Sequence, residues 1–172
     1  ETDSNLFKIP ATGLRFFTVY GPWGRPDMAP MIFTKSIIER KTINVFNNGD
    51  MERDFTYIDD VIESIYRLIK NPAQADKNFD SSKPNPSTSW APHKILNIGN
   101  SKPVKLMDFI ECLEKNLGTK AKKVYKPMQP GDVKVTFANT NNIEKITGYK
   151  PNTSLEIGIK KFVDWYKNFY RY

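Results

Sequence analysis

Apolar and polar residues fall into short, punctuated blocks along the chain, and these blocks predict most of its elements. Residues 1–13 carry no periodicity and read as an irregular lead-in. Leu14-Arg15-Phe16-Phe17-Thr18-Val19-Tyr20 is β-branched and aromatic and stops at Gly21-Pro22, as a largely buried strand running into a loop does. Gly21 to Pro30 is too rich in Gly and Pro to be regular. Pro30 lacks an N–H that a first helical turn would leave unpaired anyway, so it opens a short helix over Met31 to Arg40. Ile43 to Phe46 alternates like a half-exposed strand, and Asn47-Asn48-Gly49-Asp50 is a turn that tolerates positive φ. Asp54 to Tyr57 is briefly extended. Asp59 or Asp60 is then placed to cap a helix whose apolar stripe is Val61, Ile62, Ile65, Leu68 and Ile69.

Residues 71–92 change in composition to Asn, Asp, Ser, Pro and Lys, which predicts a long surface loop with only Phe79 and Trp90 able to anchor it. Strand character returns over 94–98. An amphipathic helix follows, with Leu106, Phe109, Ile110, Leu113 and Leu117 on one face and Gly118 as its C-cap. Lys122 to Tyr125 reads as a short strand, Met128 to Asp132 as a turn, and Asn141 to Thr147 as a small helix closed by Gly148. Thr153 with Glu156 makes a capping-box pattern for a last helix striped by Leu155, Ile159, Phe162, Val163, Tyr166 and Tyr170. Strands and helices mix without strict alternation, which gives an α/β or α+β chain that looks like part of something larger. Neither G-x-G-x-x-G nor G-x-x-x-x-G-K occurs, so the chain holds no glycine-rich phosphate loop of its own.

Composition narrows the classes. With 172 residues, 39% of them hydrophobic and 13% aromatic, the chain has material for one core, or one domain and part of a second. No apolar run approaches the roughly 18 residues of a membrane span, and residues 1–8 lack a signal-peptide pattern, so a soluble, cytoplasmic protein without membrane association is expected. A lone Cys112 and a lone His93 give neither a disulfide nor a Cys/His metal cluster, and no metal is expected. The net charge of +7 suits a nucleic acid, a membrane surface, an anionic small molecule or a plain solvated surface. Lys120, Lys122 and Lys123 carry no aromatic interleaving, so no nucleic-acid partner is expected.

Four stretches carry candidate chemistry. Residues 15–30 run a strand into a Gly/Pro loop, which puts Thr18 at a carboxyl edge where open α/β sheets bind ligands; a core strand and a surface loop would look the same. Asn44-Val45-Phe46 offers an aromatic and a backbone edge for a flat base, and Arg53 a planar fork for phosphate oxygens, or else an exposed hairpin with a surface arginine. Gln129-Pro130-Gly131-Asp132 is a turn whose carboxylate could accept both hydroxyls of a ribose. In Tyr57 to Asp60, an Asp serves as a helix cap or as an acid or base.

Order and exact strings separate these alternatives. LRFFTVYGPWGRPDMAP (14–30), NVFNNGDMERDFTYIDDV (44–61), LNIGNSKPVKLMDFIE (96–111), PMQPGDV (127–133) and FVDWYKNFY (162–170) resemble, in order, the strings of UDP-glucuronate 4-epimerases, which are NAD-dependent epimerases of the extended short-chain dehydrogenase/reductase family. The similarity runs from Pro10 to Tyr170. It implies an α/β fold: the C-terminal part of a Rossmann-type epimerase, with its last sheet strands near 14–20 and 94–98 and a small mixed α/β substrate-binding portion, all within 14–172. Residues 1–13 would then be a lead-in or a remnant of the cofactor domain.

By position, the resemblance makes Thr18 face the sugar and sets Phe16 and Val19 at the nicotinamide of NAD. It gives Met28 and Ala29 backbone contacts to the nucleotide, Asn44, Val45 and Phe46 the uridine edge, Arg53 the diphosphate and Asp132 the ribose. Gln129 stands where UDP-galactose 4-epimerases have an arginine, and Arg25 could replace that charge. The implied reaction inverts C4 of a UDP-sugar, most simply UDP-glucuronate to UDP-galacturonate, through a 4-keto sugar. UDP-glucose 4-epimerase, UDP-glucuronate decarboxylase and a non-catalytic nucleotide-sugar binding module are the alternatives. No tyrosine upstream of Leu14 has a lysine four residues later, where the family places its acid–base pair; Glu1-Thr2-Asp3 and Asn5 to Pro10 resemble the two flanks of that segment, joined at Ser4. The chain is therefore expected to be inactive alone, with no catalytic residue of its own. Homodimerisation comes with the family rather than from any residue here.

Overall fold

The computed structural model describes residues 1–172. In chain order the elements are α1 (Thr2–Phe7), β1 (Ala11–Phe16), β2 (Thr18–Tyr20), α2 (Ala29–Ile38), β3 (Thr42–Val45), β4 (Glu52–Arg53), β5 (Phe55–Tyr57) and α3 (Ile58–Ile69). They continue with β6 (His93–Ile98), β7 (Val104–Lys105), α4 (Leu106–Leu117), β8 (Lys122–Tyr125), α5 (Asn141–Thr147) and α6 (Leu155–Tyr170). A 3-10 turn over Phe46–Gly49 links β3 to β4.

The strands pair two by two. β1 runs parallel to β6, with Ala11 opposite His93 and Phe16 opposite Ile98. β2 runs parallel to β5, with Thr18 opposite Phe55. β3 runs parallel to β8, and the two-residue β4 and β7 are antiparallel. The single strand expected over 14–20 is thus two strands, because the chain changes partner at Phe17. The Phe17 N–H still donates to Ile98 O at 3.2 Å, whereas the Thr18 N–H donates to Asp54 O at 3.1 Å. The run is also less buried than its composition suggested: Arg15 and Phe16 are exposed, and only Tyr20 is buried.

One core joins α2, β3, β5, α4 and α6 through Phe33, Ile37, Ile43, Val45, Phe55, Phe109, Leu113, Ile159 and Phe162. Phe55 and Phe109 stack with ring centroids 4.2 Å apart, and Tyr20 meets both edge-on, the aromatic geometries that quadrupoles favour. A smaller cluster of Val61, Leu68, Leu96, Ile98 and Ile143 lies between α3, β6 and α5. The predicted stripes of α4 and α6 are largely the buried ones, although Tyr170 at the end of α6 is exposed.

Several local expectations are corrected. The lead-in is not wholly irregular, since residues 2–7 form α1 with Ser4 buried. Neither Asp59 nor Asp60 caps α3, whose N-cap is Tyr57. Asp60 is buried and instead accepts from Tyr149 Oη at 2.6 Å and Thr153 N at 3.1 Å, tying α3 to the start of α6. The cap of α6 is Ser154, one residue beyond the expected Thr153, with its Oγ accepting from Ile157 N at 3.3 Å. In the 71–92 loop, buried Ala73, Ser89 and Ala91 anchor the chain, while Trp90 is 55% exposed. No helix is long and apolar enough to cross a membrane.

Candidate functional site

Residues remote in sequence converge on a cleft of about 190 Å³ between β2, the start of α2, β3 and β4. Its lining includes Thr18 from β2, Met28 and Ala29 at the head of α2, Asn44 on the exposed face of β3, Phe46, Arg53 and Asp132. Phe33, Met51, Phe55 and Leu106 also line it.

Local backbone geometry sets each of these side chains. Phe46 opens the 3-10 turn, and Asn47, Asn48 and Gly49 then take φ of 48°, 52° and 84°, the left-handed values expected for the Asn-Asn-Gly string. That reversal carries the chain back into β4, where Arg53 sits. Asp132 follows Gly131, itself at φ 81°, in a turn closed by the Asp132 N–H donating to Gln129 O at 3.2 Å. Arg53 Nη2 donates to Asp132 Oδ1 at 2.6 Å, and Arg53 Nη1 to the carbonyls of Glu52 and Lys134 at 2.9 and 3.2 Å. The guanidinium is thus held flat at the cleft wall, its side chain 17% exposed. The N-terminal end of α2 also borders the cleft, and its helix dipole favours negative charge, although Pro30 has no N–H and the Met31 N–H already donates to Met28 O at 3.0 Å. The cleft therefore combines an anion-seeking end, a carboxylate acceptor and an aromatic edge.

A second, larger cleft of about 600 Å³ lies on the other side of β2. Thr18 faces the first cleft and its neighbour Val19 the second, which Phe16 at the end of β1, Tyr20, Trp23, Ile58 and Ile62 also line. Met28 borders both. Burial raises the Tyr20 phenol well above its ordinary value, away from the neutral range in which a general base works.

Not every expected ligand contact joins the first cleft. Val45 is fully buried in the core, since the alternation of β3 turns it inward as it turns Asn44 out. Gln129 is exposed and outside the lining. Arg25 lies on the rim of the second cleft, where Nη2 pairs with Asp27 Oδ2 at 2.6 Å, so it is not placed to replace a charge beside Arg53. The lining residues Phe33, Met51, Phe55 and Leu106 escaped sequence reading because a cleft floor has the same apolar periodicity as a core. A Tyr-x-x-x-Lys spacing does occur, at Tyr66 and Lys70, but these lie at the exposed end of α3 outside both clefts. There Lys70 Nζ sits 4.7 Å from the Tyr66 ring centroid.

An α/β chain with parallel strand pairs and a cleft at the head of a helix has the arrangement in which open α/β sheets bind ligands. Residues 3–99 match the model of the NAD dependent epimerase/dehydratase family, and the chain belongs to that family. It is similar to Protein CapI of Staphylococcus aureus, with 51% identity over 99% of this chain and 51% of that protein. A probable UDP-glucuronate 4-epimerase of Rhizobium meliloti is 46% identical over 98% of this chain and 50% of its own length. Among solved structures, UDP-glucuronic acid 4-epimerase of Bacillus cereus, in complex with UDP-glucuronic acid and NAD, aligns with TM-score 0.79 at 32% identity, over 98% of this chain and 49% of that one. The chain thus spans about half the length of the relatives it matches.

Proposed function

We propose that this chain supplies the UDP-sugar site of an NAD-dependent enzyme that inverts C4 of UDP-glucuronate to give UDP-galacturonate through a 4-keto sugar, and that it is inactive by itself. The convergence of Thr18, Phe46, Arg53 and Asp132 on one cleft carries this reading. In it, the Arg53 fork holds diphosphate oxygens and the head of α2, through the backbone of Met28 and Ala29, adds to the anion's field. Asp132 accepts the ribose hydroxyls, Asn44 and Phe46 edge the uracil, and Thr18 offers its hydroxyl to the sugar. A volume of about 190 Å³ falls below the ~300 Å³ at which pockets begin to enclose a whole drug-sized ligand, so the remainder of the nucleotide sugar lies at the mouth.

The apolar wall of Phe16 and Val19 fits a flat nicotinamide ring, but this chain has no glycine-rich loop for the cofactor's pyrophosphate. Bound NAD would supply the hydride acceptor and donor for C4. The chain's own part is to fix the sugar by its nucleotide near Met28, which borders both clefts, so that C4 would reach the ring. The names of the Rhizobium protein and the Bacillus structure support glucuronate as the sugar.

Calorimetry of this chain with UDP and with UDP-glucuronate, followed by NMR analysis of the sugar products, tests the reading. Binding without C4 inversion is expected. Absence of UDP binding removes the site, and inversion by the chain alone removes the claim that it is inactive. The Tyr66 and Lys70 pair lies outside both clefts, which also suits a non-catalytic nucleotide-sugar binding module. Adding the N-terminal half of a relative separates the two: restored inversion of UDP-glucuronate supports the epimerase, and binding that never leads to turnover supports the module. Products from UDP-glucose, or loss of carbon dioxide from UDP-glucuronate, would point to the sister activities. Homodimerisation is read by sedimentation of the complemented protein.

A further inference from the structure

We propose that Asp54, which lines neither cleft, is the positioning residue that brings the nucleotide cleft together; this rests on the reading of that cleft as a UDP site. Asp54 is fully buried. Its Oδ1 accepts from Asn100 N at 2.7 Å and from Thr56 Oγ1 at 3.3 Å, and its Oδ2 from Ser101 N at 2.9 Å and Ala138 N at 3.0 Å. Its backbone is engaged too: the carbonyl accepts from Thr18 N at 3.1 Å and the N–H donates to Thr136 Oγ1 at 3.1 Å.

These bonds run to the segments that build the cleft. Thr18 begins β2, and Asn100 and Ser101 form the turn after β6. Thr136 and Ala138 lie on the stretch that starts at Asp132. That stretch is also laid along β4, where Glu52 N donates to Lys134 O at 2.9 Å and Thr136 N to Glu52 O at 3.2 Å. Arg53 lies between the two anchored residues Glu52 and Asp54, so its reach to Asp132 depends on this registration. A Cβ at Gly99 would stand 2.3 Å from Ala138 Cβ and 3.1 Å from Asp54 Oδ2, so the turn after β6 closes on Asp54 only because position 99 has no side chain.

A buried carboxylate is costly unless its acceptor sites are filled. Here they are filled by three backbone N–H groups and one hydroxyl, from the turn after β6, the stretch after Asp132 and β5, so that one side chain ties together segments held otherwise by only a few ladder bonds. Each loop end gains a fixed point, and the cleft is assembled from the loops so fixed.

The test uses Asp54→Asn and the milder Thr136→Val in this 172-residue chain. Affinities for UDP and for uridine are measured by calorimetry, and melting temperature alongside. In Asp54→Asn, UDP should weaken by about tenfold and uridine by less, so that the UDP-to-uridine ratio falls. A lower melting temperature with the ratio kept would make Asp54 a purely structural residue and overturn the proposal. If Asp54→Asn does not fold, Thr136→Val decides: a ratio lowered about threefold supports the role, and an unchanged ratio overturns it. If the unaltered chain binds neither compound, the nucleotide reading alone fails. The positioning role is then judged from the Arg53 Nη–H resonances, which should exchange slowly in the parent chain and fast in the folded variant, Asp54→Asn or Thr136→Val; unchanged resonances overturn it.

Discussion

Arg53 and Asp132 meet at 2.6 Å across 79 residues of sequence, with side chains only 17% and 31% exposed. The pair therefore does more than a solvated surface contact of the same length. It spares Arg53 a search through its rotamers, and it fixes the carboxylate on the wall that the guanidinium occupies.

Replacing Arg53 by Ala should weaken UDP binding by about 1.5–3 kcal/mol, the scale of a hydrogen bond to a charged group. Calorimetry on the chain reads this directly, and an unaltered affinity would take Arg53 out of the site. A double-mutant cycle with Asp132→Ala in thermal unfolding should show a coupling of about 1 kcal/mol that shrinks with added salt.

Stability should fall in acid through Glu114. Burial alone would raise this carboxyl, but hydrogen bonds from Lys120, Lys123 and Ala121 N outweigh it and hold the group down to about 2. Its folded value lies below the unfolded one, so its contribution is full above the unfolded carboxylate range near pH 4–5 and is lost as pH falls toward 2. Unfolding of Glu114→Gln, followed between pH 6 and 2, should start about 1–3 kcal/mol less stable and show a shallower acid slope. Equal slopes for both proteins would contradict the assignment.

The alkaline limb should come from tyrosines. Burial, then the Asp59 and Asp60 charges, pushes Tyr57 up to about 12; burial, then the hydrogen bond to Asp60, raises Tyr149 further. Folded values above the unfolded one mean stability held below about pH 10 and lost as pH climbs beyond it. Tyr149→Phe should lose the Asp60 hydrogen bond, at about 1 kcal/mol, and soften the alkaline decline, as read by chemical unfolding at pH 8 and pH 11.

Gly158→Ala should be destabilising, although alanine favours helices elsewhere. A Cβ at this point of α6 would stand 2.0 Å from the Tyr20 hydroxyl oxygen and 2.8 Å from its Cζ. Either α6 lifts from β2 or Tyr20 leaves its edge-on seat against Phe55 and Phe109, and overpacking of this kind costs about 1–3 kcal/mol. A melting temperature equal to the parent's would show that α6 can shift freely.

Much of this was legible in the sequence, for reasons that particular residues make plain. The core stripes of α4 and α6 obey one period, so Phe109 and Phe162 announce themselves. The left-handed turn at Asn47-Asn48-Gly49 follows from its residue types. The break at Phe17 was hidden because it is made by a change of partner from β6 to β5, and strand character in a sequence does not depend on which neighbour supplies the ladder. Asp60 misled for a similar reason: a carboxylate before an apolar stripe looks like a cap, while its partners Tyr149 and Thr153 lie 89 and 93 residues away. Of the ligand candidates, Thr18, Met28, Ala29, Asn44, Phe46, Arg53 and Asp132 came together, whereas Val45 was lost to the inward phase of β3, Gln129 to the exposed side of its turn and Arg25 to its neighbour Asp27.

The handover at Phe17 also limits how the chain can vary in length. β2 is three residues long, and its residues Thr18 and Val19 look into unlike surroundings, one holding Asn44, Arg53 and Asp132 and the other walled mainly by apolar side chains. Inserting or deleting one residue ahead of Thr18 would swing valine toward Arg53 and Asp132 and threonine onto the apolar wall, exchanging both surroundings in a single step.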